Sequence, residues 1–236
     1  MESVSMRKIR KIRKPKGENR KPSLIIYDCD GVLIDSRRAN HAFYNHILAH
    51  FGQPPLTPEQ LDLVHAATAQ EAIHFLFPDA AWLAQAQDYQ RHLDNGPFLS
   101  LIGLEPHIRE VLAQLRSSAH LAVASNRGKS LVPVLRTLGL DGFFELTVGS
   151  SEVNRPKPHP ECLRKILAHF RVGPEEALYI GDSEVDRLLA EAAGVPLAAY
   201  KNPSLQARYH LRDHLELLPL LGWPPPKNEP AIGPLR

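Results

Sequence analysis

Apolar residues fall into two alternating patterns along this chain. Short, nearly unbroken apolar runs occur at residues 24–28, 121–125, 146–149, 178–181 and 197–200. Runs this short, bounded by turn residues, read as strands buried on both faces, the kind found in parallel sheets. Between them, apolar residues recur at spacings of three and four. Ile108, Val111, Leu112 and Leu115 share one face. Leu131, Val134, Leu135 and Leu138 share another, stopped by Gly139, and Leu163, Ile166, Leu167 and Phe170 share a third. That spacing predicts amphipathic helices. Strand–helix–strand repetition predicts an α/β fold with a parallel sheet and right-handed crossovers.

The first crossover breaks the rhythm. Roughly ninety residues separate the first two apolar runs, where a βαβ unit needs about thirty in all. Residues 37–103 hold most of the excess, and their pattern is helical. Residues 39–51 form one helix, ended by Gly52 and Pro54. Thr57-Pro58-Glu59-Gln60 is a capping box with proline in the first turn. Thr68-Ala69-Gln70-Glu71 is a second capping box that opens 72–77, and a further helical stretch covers 80–92. A four-helix insertion after the first strand would stand over the carboxyl edge of the sheet, where a lid belongs. The expected organisation is an arm over 1–22, a core over 23–36 and 104–220, a small helical cap over 37–103, and a proline-rich tail over 221–236.

A chain of 236 residues, 43% hydrophobic and 23% charged, suits one globular domain with a small insertion. No apolar run approaches the ~20 residues that span a bilayer, so no membrane partner is expected. Nine of the 28 basic residues, but two of the 26 acidic ones, lie in the first 21 positions. The net charge of +2 therefore hides an acidic body behind a basic arm. The arm lacks the apolar stretch of a secretory signal. It also lacks aromatic residues to stack on bases, so it reads as a leader rather than a nucleic-acid contact. Two cysteines, Cys29 and Cys162, are too few for a disulfide framework, which predicts a reducing, cytoplasmic compartment.

Candidate chemistry begins at residues 28–36, DCDGVLIDS, directly after the first apolar run. Residues two apart leave a strand on the same side, so Asp28 and Asp30 can face one pocket, and Cys29 points into the core. Two neighbouring acids repel unless a cation or a proton lies between them. A lone aspartate at a strand end is equally a turn or cap residue, so the later strand ends matter. The second ends at Ser125-Asn126-Arg127. The third leads into Arg155-Pro156-Lys157-Pro158. The fourth ends in Gly181-Asp182-Ser183-Glu184-Val185-Asp186. In a parallel sheet these termini share one edge. Carboxylates, a hydroxyl, an amide and an ammonium together suit a divalent metal and a phosphoryl group.

Four such motifs in this order, with a helical insertion behind the first, resemble the haloacid dehalogenase (HAD) superfamily, specifically its phosphoglycolate-phosphatase-like branch. The resemblance covers residues 23–220. It implies a Rossmann-like core with a helical cap, and a Mg²⁺-dependent phosphatase acting on a small phosphorylated metabolite. It assigns Asp28 as the nucleophile that forms an aspartyl-phosphate and Asp30 as general acid and then base. Lys157, Ser125 and Asn126 would hold the phosphoryl group. Asp28, Asp30 through its carbonyl, Asp182 and Asp186 would hold the metal, with Asp186 alternatively a supporting or first-turn residue. Dehalogenases of the superfamily lack an acid at the position of Asp30, and phosphonate hydrolases need a cap lysine that residues 37–97 do not contain. Two alternatives stay open: a β-phosphoglucomutase-like phosphosugar mutase, which shares the DGV turn, and a regulatory or nucleic-acid-binding protein on the same scaffold. His65, in the loop that should face the site, and Arg127 are the candidates for a second anion contact. The plainer readings are a helix-end histidine and a solvent-facing arginine. His46 and His50 have a metal-compatible spacing but no acidic or cysteine partners, so zinc is not expected.

Overall fold

In the computed structural model, residues 21–224 are described; the basic arm through residue 20 and the tail from 225 lie outside them. β1 (Leu24–Tyr27) is buried at all four positions and is followed by a short strand, β2 (Ile34–Asp35). Five helices come next: α1 (Arg37–His50), α2 (Pro58–Ala66), α3 (Ala69–Leu76), α4 (Ala80–His92) and α5 (Gly96–Leu99). β3 (Gly103–Leu104) returns the chain to the sheet. Then α6 (Ile108–Leu115), β4 (His120–Ala124), α7 (Leu131–Thr137), β5 (Leu146–Val148), α8 (Glu161–Phe170) and β6 (Ala177–Gly181) alternate. The chain closes with α9 (Glu184–Ala193), β7 (Leu197–Tyr200), β8 (Tyr209–Leu211) and α10 (Leu217–Leu220).

Six strands form one sheet in the order β5-β4-β1-β6-β7-β8, every neighbouring pair parallel. The chain starts at the centre, builds outward through β4 and β5, then crosses to the other side of β1. A switch in winding direction of this kind opens a crevice at the carboxyl ends of the central strands. Strand alternation supplies both faces. Ile25, Tyr27, Leu121, Val123 and Ile180 pack under α6, α7 and α10, whereas Leu24, Ile26, Ala122, Ala124 and Tyr179 pack under α8 and α9. A third apolar cluster, including Tyr44, Ile47, Val64, Ile73 and Phe77, belongs to the helical insertion alone. The insertion joins the sheet through the antiparallel β2–β3 ribbon, which pairs Ile34 with Leu104 and Asp35 with Gly103.

Both capping boxes form as their sequences predict. Thr57 accepts from the Gln60 amide at 3.2 Å and Thr68 from the Glu71 amide at 3.2 Å, with the side chains of Gln60 and Glu71 returning the bond. Three features depart from the sequence reading. The insertion has a fifth helix, α5, too short to show periodicity. The sheet has a sixth strand, β8, with only Leu211 buried. Finally, the proline-rich tail does not begin at 221. Leu221 and Trp223 pack against the core beside Leu217 and Leu218, because apolar burial outweighs the extended bias of the prolines that follow.

Two histidines are held in unusual settings. His107, at the start of α6, has a left-handed backbone (φ 59°), and its Nδ1 lies 2.8 Å from Asp213. A side chain in that region costs about 1 kcal/mol that glycine avoids. His107→Ala and His107→Gly both lose the Asp213 contact, but only the alanine keeps the strain. The glycine variant should therefore be the more stable of the two by about 1 kcal/mol in denaturant unfolding. His214 is fully buried, donates from Nε2 to the Val32 carbonyl at 2.7 Å, and stacks on Tyr200 with centroids 4.2 Å apart. Burial lowers its pKa from 6.5 to about 4, against the pull of the Val32 carbonyl and of Asp213. The folded chain thus keeps it neutral while the unfolded chain protonates it below pH 6.5. Its contribution is complete above pH 6.5 and is lost as pH falls toward 4, on the order of 3 kcal/mol in all. His214→Gln should flatten the loss of stability between pH 7 and 4.5 relative to wild type. An unchanged slope would place the acid sensitivity elsewhere.

Candidate active site

β1 delivers Asp28 to the centre of the carboxyl edge. Its amide still donates to Ile180 on β6 at 2.8 Å, so the residue is fixed by the sheet. The chain then turns: the amides of Leu33 and Ile34 both reach back to the Cys29 carbonyl, at 2.9 and 3.1 Å. Gly31 sits in this turn at φ 78°, and a Cβ there would overlap the Asp182 carboxylate. Glycine is needed both for the hand of the turn and for the close approach of Asp182.

Lys157 ties the strand ends together. Its ammonium, 4% exposed, donates to Asp28 at 2.7 Å, to Asp186 at 2.8 Å and to the Tyr179 hydroxyl at 3.1 Å. The Asn126 side chain holds the lysine backbone from both sides, accepting from Lys157 N at 3.0 Å and donating to its carbonyl at 3.2 Å. The same amide group donates to the Ala66 carbonyl of the insertion at 3.0 Å. Asp186, in the first turn of α9, is fully occupied. Oδ1 takes Lys157 and the Tyr179 hydroxyl (2.6 Å); Oδ2 takes the Ser183 hydroxyl (2.6 Å) and the amides of Asp182 and Ser183.

Carboxylate oxygens of Asp28, Asp182 and Asp186 lie within 4.8 Å of one another. Burial pushes the Asp28 carboxyl up to about 7; Lys157 opposes this and the Asp186 charge adds to it. Burial, then the charges of Asp186 and Asp28, push Asp182 up to about 8. Burial also acts on Asp186, but Lys157 and the Ser183 and Tyr179 hydrogen bonds outweigh it and keep that group ionised below the usual range. Three acids thus share one lysine, and two of them resist ionisation for want of positive charge. A hard divalent cation with oxygen ligands would satisfy that demand. Of the three, only the Asp182 carboxylate has no hydrogen-bond partner among the described residues, while its carbonyl is held by Asn202 Nδ2 at 2.8 Å.

Asp30 stands apart from this cluster. Its Oδ2 accepts from Arg127 Nε at 2.8 Å, and its Oδ1 accepts from Arg127 Nη2 at 2.7 Å and from the Ser36 hydroxyl. Burial raises its pKa, yet the Arg127 guanidinium more than offsets this and holds it low. Its side chain therefore does not join Asp28, Asp182 and Asp186; only its backbone carbonyl is left for the metal role read from the sequence. Ser125 is buried, and its Oγ accepts from the Arg127 amide at 3.0 Å, which leaves its own proton to donate. Asp28, Asp30, Ser125, Asn126, Arg127, Lys157 and Asp182 line a cavity of about 1230 Å³ between the sheet edge and the insertion, with Asp186 and Tyr179 buried behind them.

The edge gathers Asp28, Ser125, Asn126, Lys157, Asp182 and Asp186, with Asp30 beside them. Arg127 does not face solvent: its side chain is largely buried against Asp30. His65 lies in the last turn of α2 and lines the cavity, accepting at Nδ1 from Asn40 at 2.8 Å; burial lowers its pKa, against the pull of Asp30. His46 bonds the Tyr89 hydroxyl at 2.9 Å and His50 stacks on the same ring, so one aromatic side chain engages both. Cys29 is buried in the core, as its place on the strand predicts. Sequence reasoning missed Tyr179, Asn202 and Ser36. Ser36 lay inside the DCDGVLIDS block, and Tyr179 is the one polar tip in an otherwise apolar strand.

Replacing Asp186 by asparagine should lower stability by roughly 3 kcal/mol. The change strips Lys157 of one of its two buried counter-charges without shrinking the side chain. Urea unfolding at pH 7 measures it, and a loss below about 1 kcal/mol would show that Asp28 alone suffices for Lys157.

Comparison with known proteins agrees with this geometry. The family model for haloacid dehalogenase-like hydrolases matches residues 25–200. Phosphoglycolate phosphatase 1 of Pseudomonas aeruginosa is 30% identical over 192 residues, 76% of this chain and 70% of that one. Phosphoglycolate phosphatase of Rhodobacter capsulatus is 29% identical over 188 residues, 75% of this chain and 83% of that one. Among solved structures, a HAD-superfamily hydrolase of subfamily IA, variant 1, from Geobacter sulfurreducens PCA superposes with a TM-score of 0.71. It is 42% identical, over 89% of this chain and all of that one. With its four motifs meeting at one sheet edge and three quarters of its length matched, the chain belongs to the haloacid dehalogenase-like hydrolases.

Proposed function

We propose that this hydrolase is a Mg²⁺-dependent phosphatase that cleaves a small phosphorylated metabolite through an aspartyl-phosphate on Asp28. One observation carries the reading: a carboxylate at the end of the central strand, 2.7 Å from a buried lysine, on the floor of a large cavity, with Asp30 two residues on. The names of the curated relatives favour a short phosphorylated acid such as phosphoglycolate as substrate. Two buried, unbridged cysteines favour a reducing, cytoplasmic setting. The helical insertion is the cap that encloses the bound ester.

In this mechanism Asp30, once parted from Arg127, takes up a proton because burial then raises its carboxyl. An Asp28 oxygen attacks phosphorus, the bond from phosphorus to the ester oxygen breaks, and that oxygen takes the proton from Asp30. Asp30 then removes a proton from water, which attacks the aspartyl-phosphate, releases phosphate and restores Asp28. Lys157 offsets the repulsion between the attacking carboxylate and the anionic ester. The Ser125 hydroxyl and the strand-end amides hold the phosphoryl oxygens. A Mg²⁺ ion held by Asp28, Asp182 and the Asp30 carbonyl would supply further charge neutralisation at the phosphoryl group. Asp186 acts as a positioning residue for Lys157.

Asp28→Asn should abolish Mg²⁺-dependent release of phosphate from an aryl phosphate, and chelation by EDTA should do the same to the wild type. Asp30→Asn should lower kcat by roughly 10²–10⁴-fold, the usual worth of general acid–base help. Wild-type turnover in Asp28→Asn would remove the nucleophile from the scheme.

A further inference from the structure

Both oxygens of Asp30 are engaged: Arg127 Nε takes Oδ2, and Arg127 Nη2 with the Ser36 hydroxyl takes Oδ1. A carboxyl so enclosed cannot reach the ester oxygen of a bound substrate. Turnover therefore requires the guanidinium to leave, and a buried guanidinium leaves one carboxylate only for a comparable partner. A ligand shifts such an equilibrium only as far as it binds one arrangement better than the other. A substrate without a second charge offers Arg127 nothing in exchange.

We infer that Arg127 is a specificity residue that releases Asp30 by transferring its fork-to-fork pairing to a carboxylate on the substrate, next to the ester oxygen. The inference rests on the phosphatase reading and deepens it. The guanidinium already holds one carboxylate side-on, through Nε and Nη2, so another can replace it like for like. The ester oxygen must come within reach of Asp30, so a carboxylate one carbon away comes within reach of the guanidinium.

The local backbone suits a side chain that swings on a fixed base. The Arg127 amide donates to Ser125 Oγ at 3.0 Å, and its carbonyl accepts from the Ser150 amide at 2.9 Å. Gly149 packs so closely under that carbonyl that a Cβ there would collide with it. The side chain faces the cavity, where it has room to turn.

The other cations at the cavity are less suited. Lys157 is committed to Asp28 and Asp186, and Lys201 is paired with Glu105. Arg91 pairs with the exposed Asp88 at 2.9 Å, and Lys129 is an exposed point charge without a fork that engages no group the reaction needs. Arg37 pairs with the exposed Asp62 at 2.6 Å, so its displacement would not free a group the reaction needs.

The test compares 2-phosphoglycolate with its uncharged counterpart, 2-hydroxyethyl phosphate, by the ratio of their kcat/KM values in the presence of Mg²⁺. The wild type should prefer the acid by at least about tenfold, and Arg127→Met should lower that ratio by at least about tenfold. Arg127→Lys keeps the charge without the fork and should give an intermediate ratio; it serves alone if the methionine variant does not fold. A wild type without the preference overturns the assignment, as does a ratio that falls less than tenfold in Arg127→Met or, read alone, does not fall in Arg127→Lys. Release of phosphate from neither ester, nor from an aryl phosphate, would instead defeat the phosphatase reading itself.

Discussion

The carboxyl edge of this sheet depends on one buried ammonium. Lys157 lies between Asp28 and Asp186 at 2.7 and 2.8 Å, and removing it would leave two buried carboxylates, one after β1 and one in the first turn of α9, without a counter-charge. Burying an ion pair is costly unless hydrogen bonds satisfy what the pair leaves over. Asp186 meets that condition through Tyr179, Ser183 and two amides at the start of α9, where the helix dipole also favours a negative charge. Asp28 does not meet it, and neither does Asp182. The result is a deliberate imbalance: one acid is stabilised fully and holds the lysine, while the two that face the cavity await positive charge.

That division of labour explains why the edge is rigid on one side and adjustable on the other. Asn126 anchors the Lys157 backbone and also reaches the end of α2 in the insertion. The insertion has its own apolar core and is joined to the sheet by two covalent crossings, paired as the β2–β3 ribbon. A body with its own core, tied at a short ribbon, can tilt without repacking the sheet. Asn126 places a polar contact between the two bodies directly beside Lys157, so the pose of the insertion and the position of that lysine are coupled.

Much of this was legible in the chain, for reasons that differ by residue. The run LIIY is apolar at every position because both faces of β1 are covered, and four apolar residues before an aspartate are enough to say so. The capping boxes at Thr57 and Thr68 are local, four-residue chemistry, and they formed as read. The convergence of Ser125, Lys157 and Asp182 followed from parallel topology. That Asp28 and Asp30 line one cavity followed from their spacing; the partner of Asp30 did not, because the alternation rule holds only while the strand continues. β1 ends at Tyr27, and the turn at Gly31 directs Asp30 toward Arg127, a partner 97 positions away. The burial of Arg127 was hidden for the same reason, since a long charged side chain reads as exposed until its counter-ion is located. Trp223 reads as tail because prolines follow it, whereas the leucines before it carry it into the core.

The same charge imbalance separates a working site from a scaffold that merely keeps the fold. Buried ion pairs are often replaced by apolar residues of similar size with no loss of stability, or with a gain. An edge needed only for architecture would therefore gain nothing from three acids around one lysine, with two of them pushed up to about 7 and 8. Tyr179, Ser183 and Asn126 add hydrogen-bonding groups whose chief effect is to hold Lys157 and Asp186 in place. A cluster kept both strained in charge and fixed in position makes physical sense when something outside the chain completes it. The excess is negative and oxygen-rich, lies beside a serine hydroxyl and strand-end amides, and opens to a large cavity. Such a site fits a divalent cation beside a phosphoryl group.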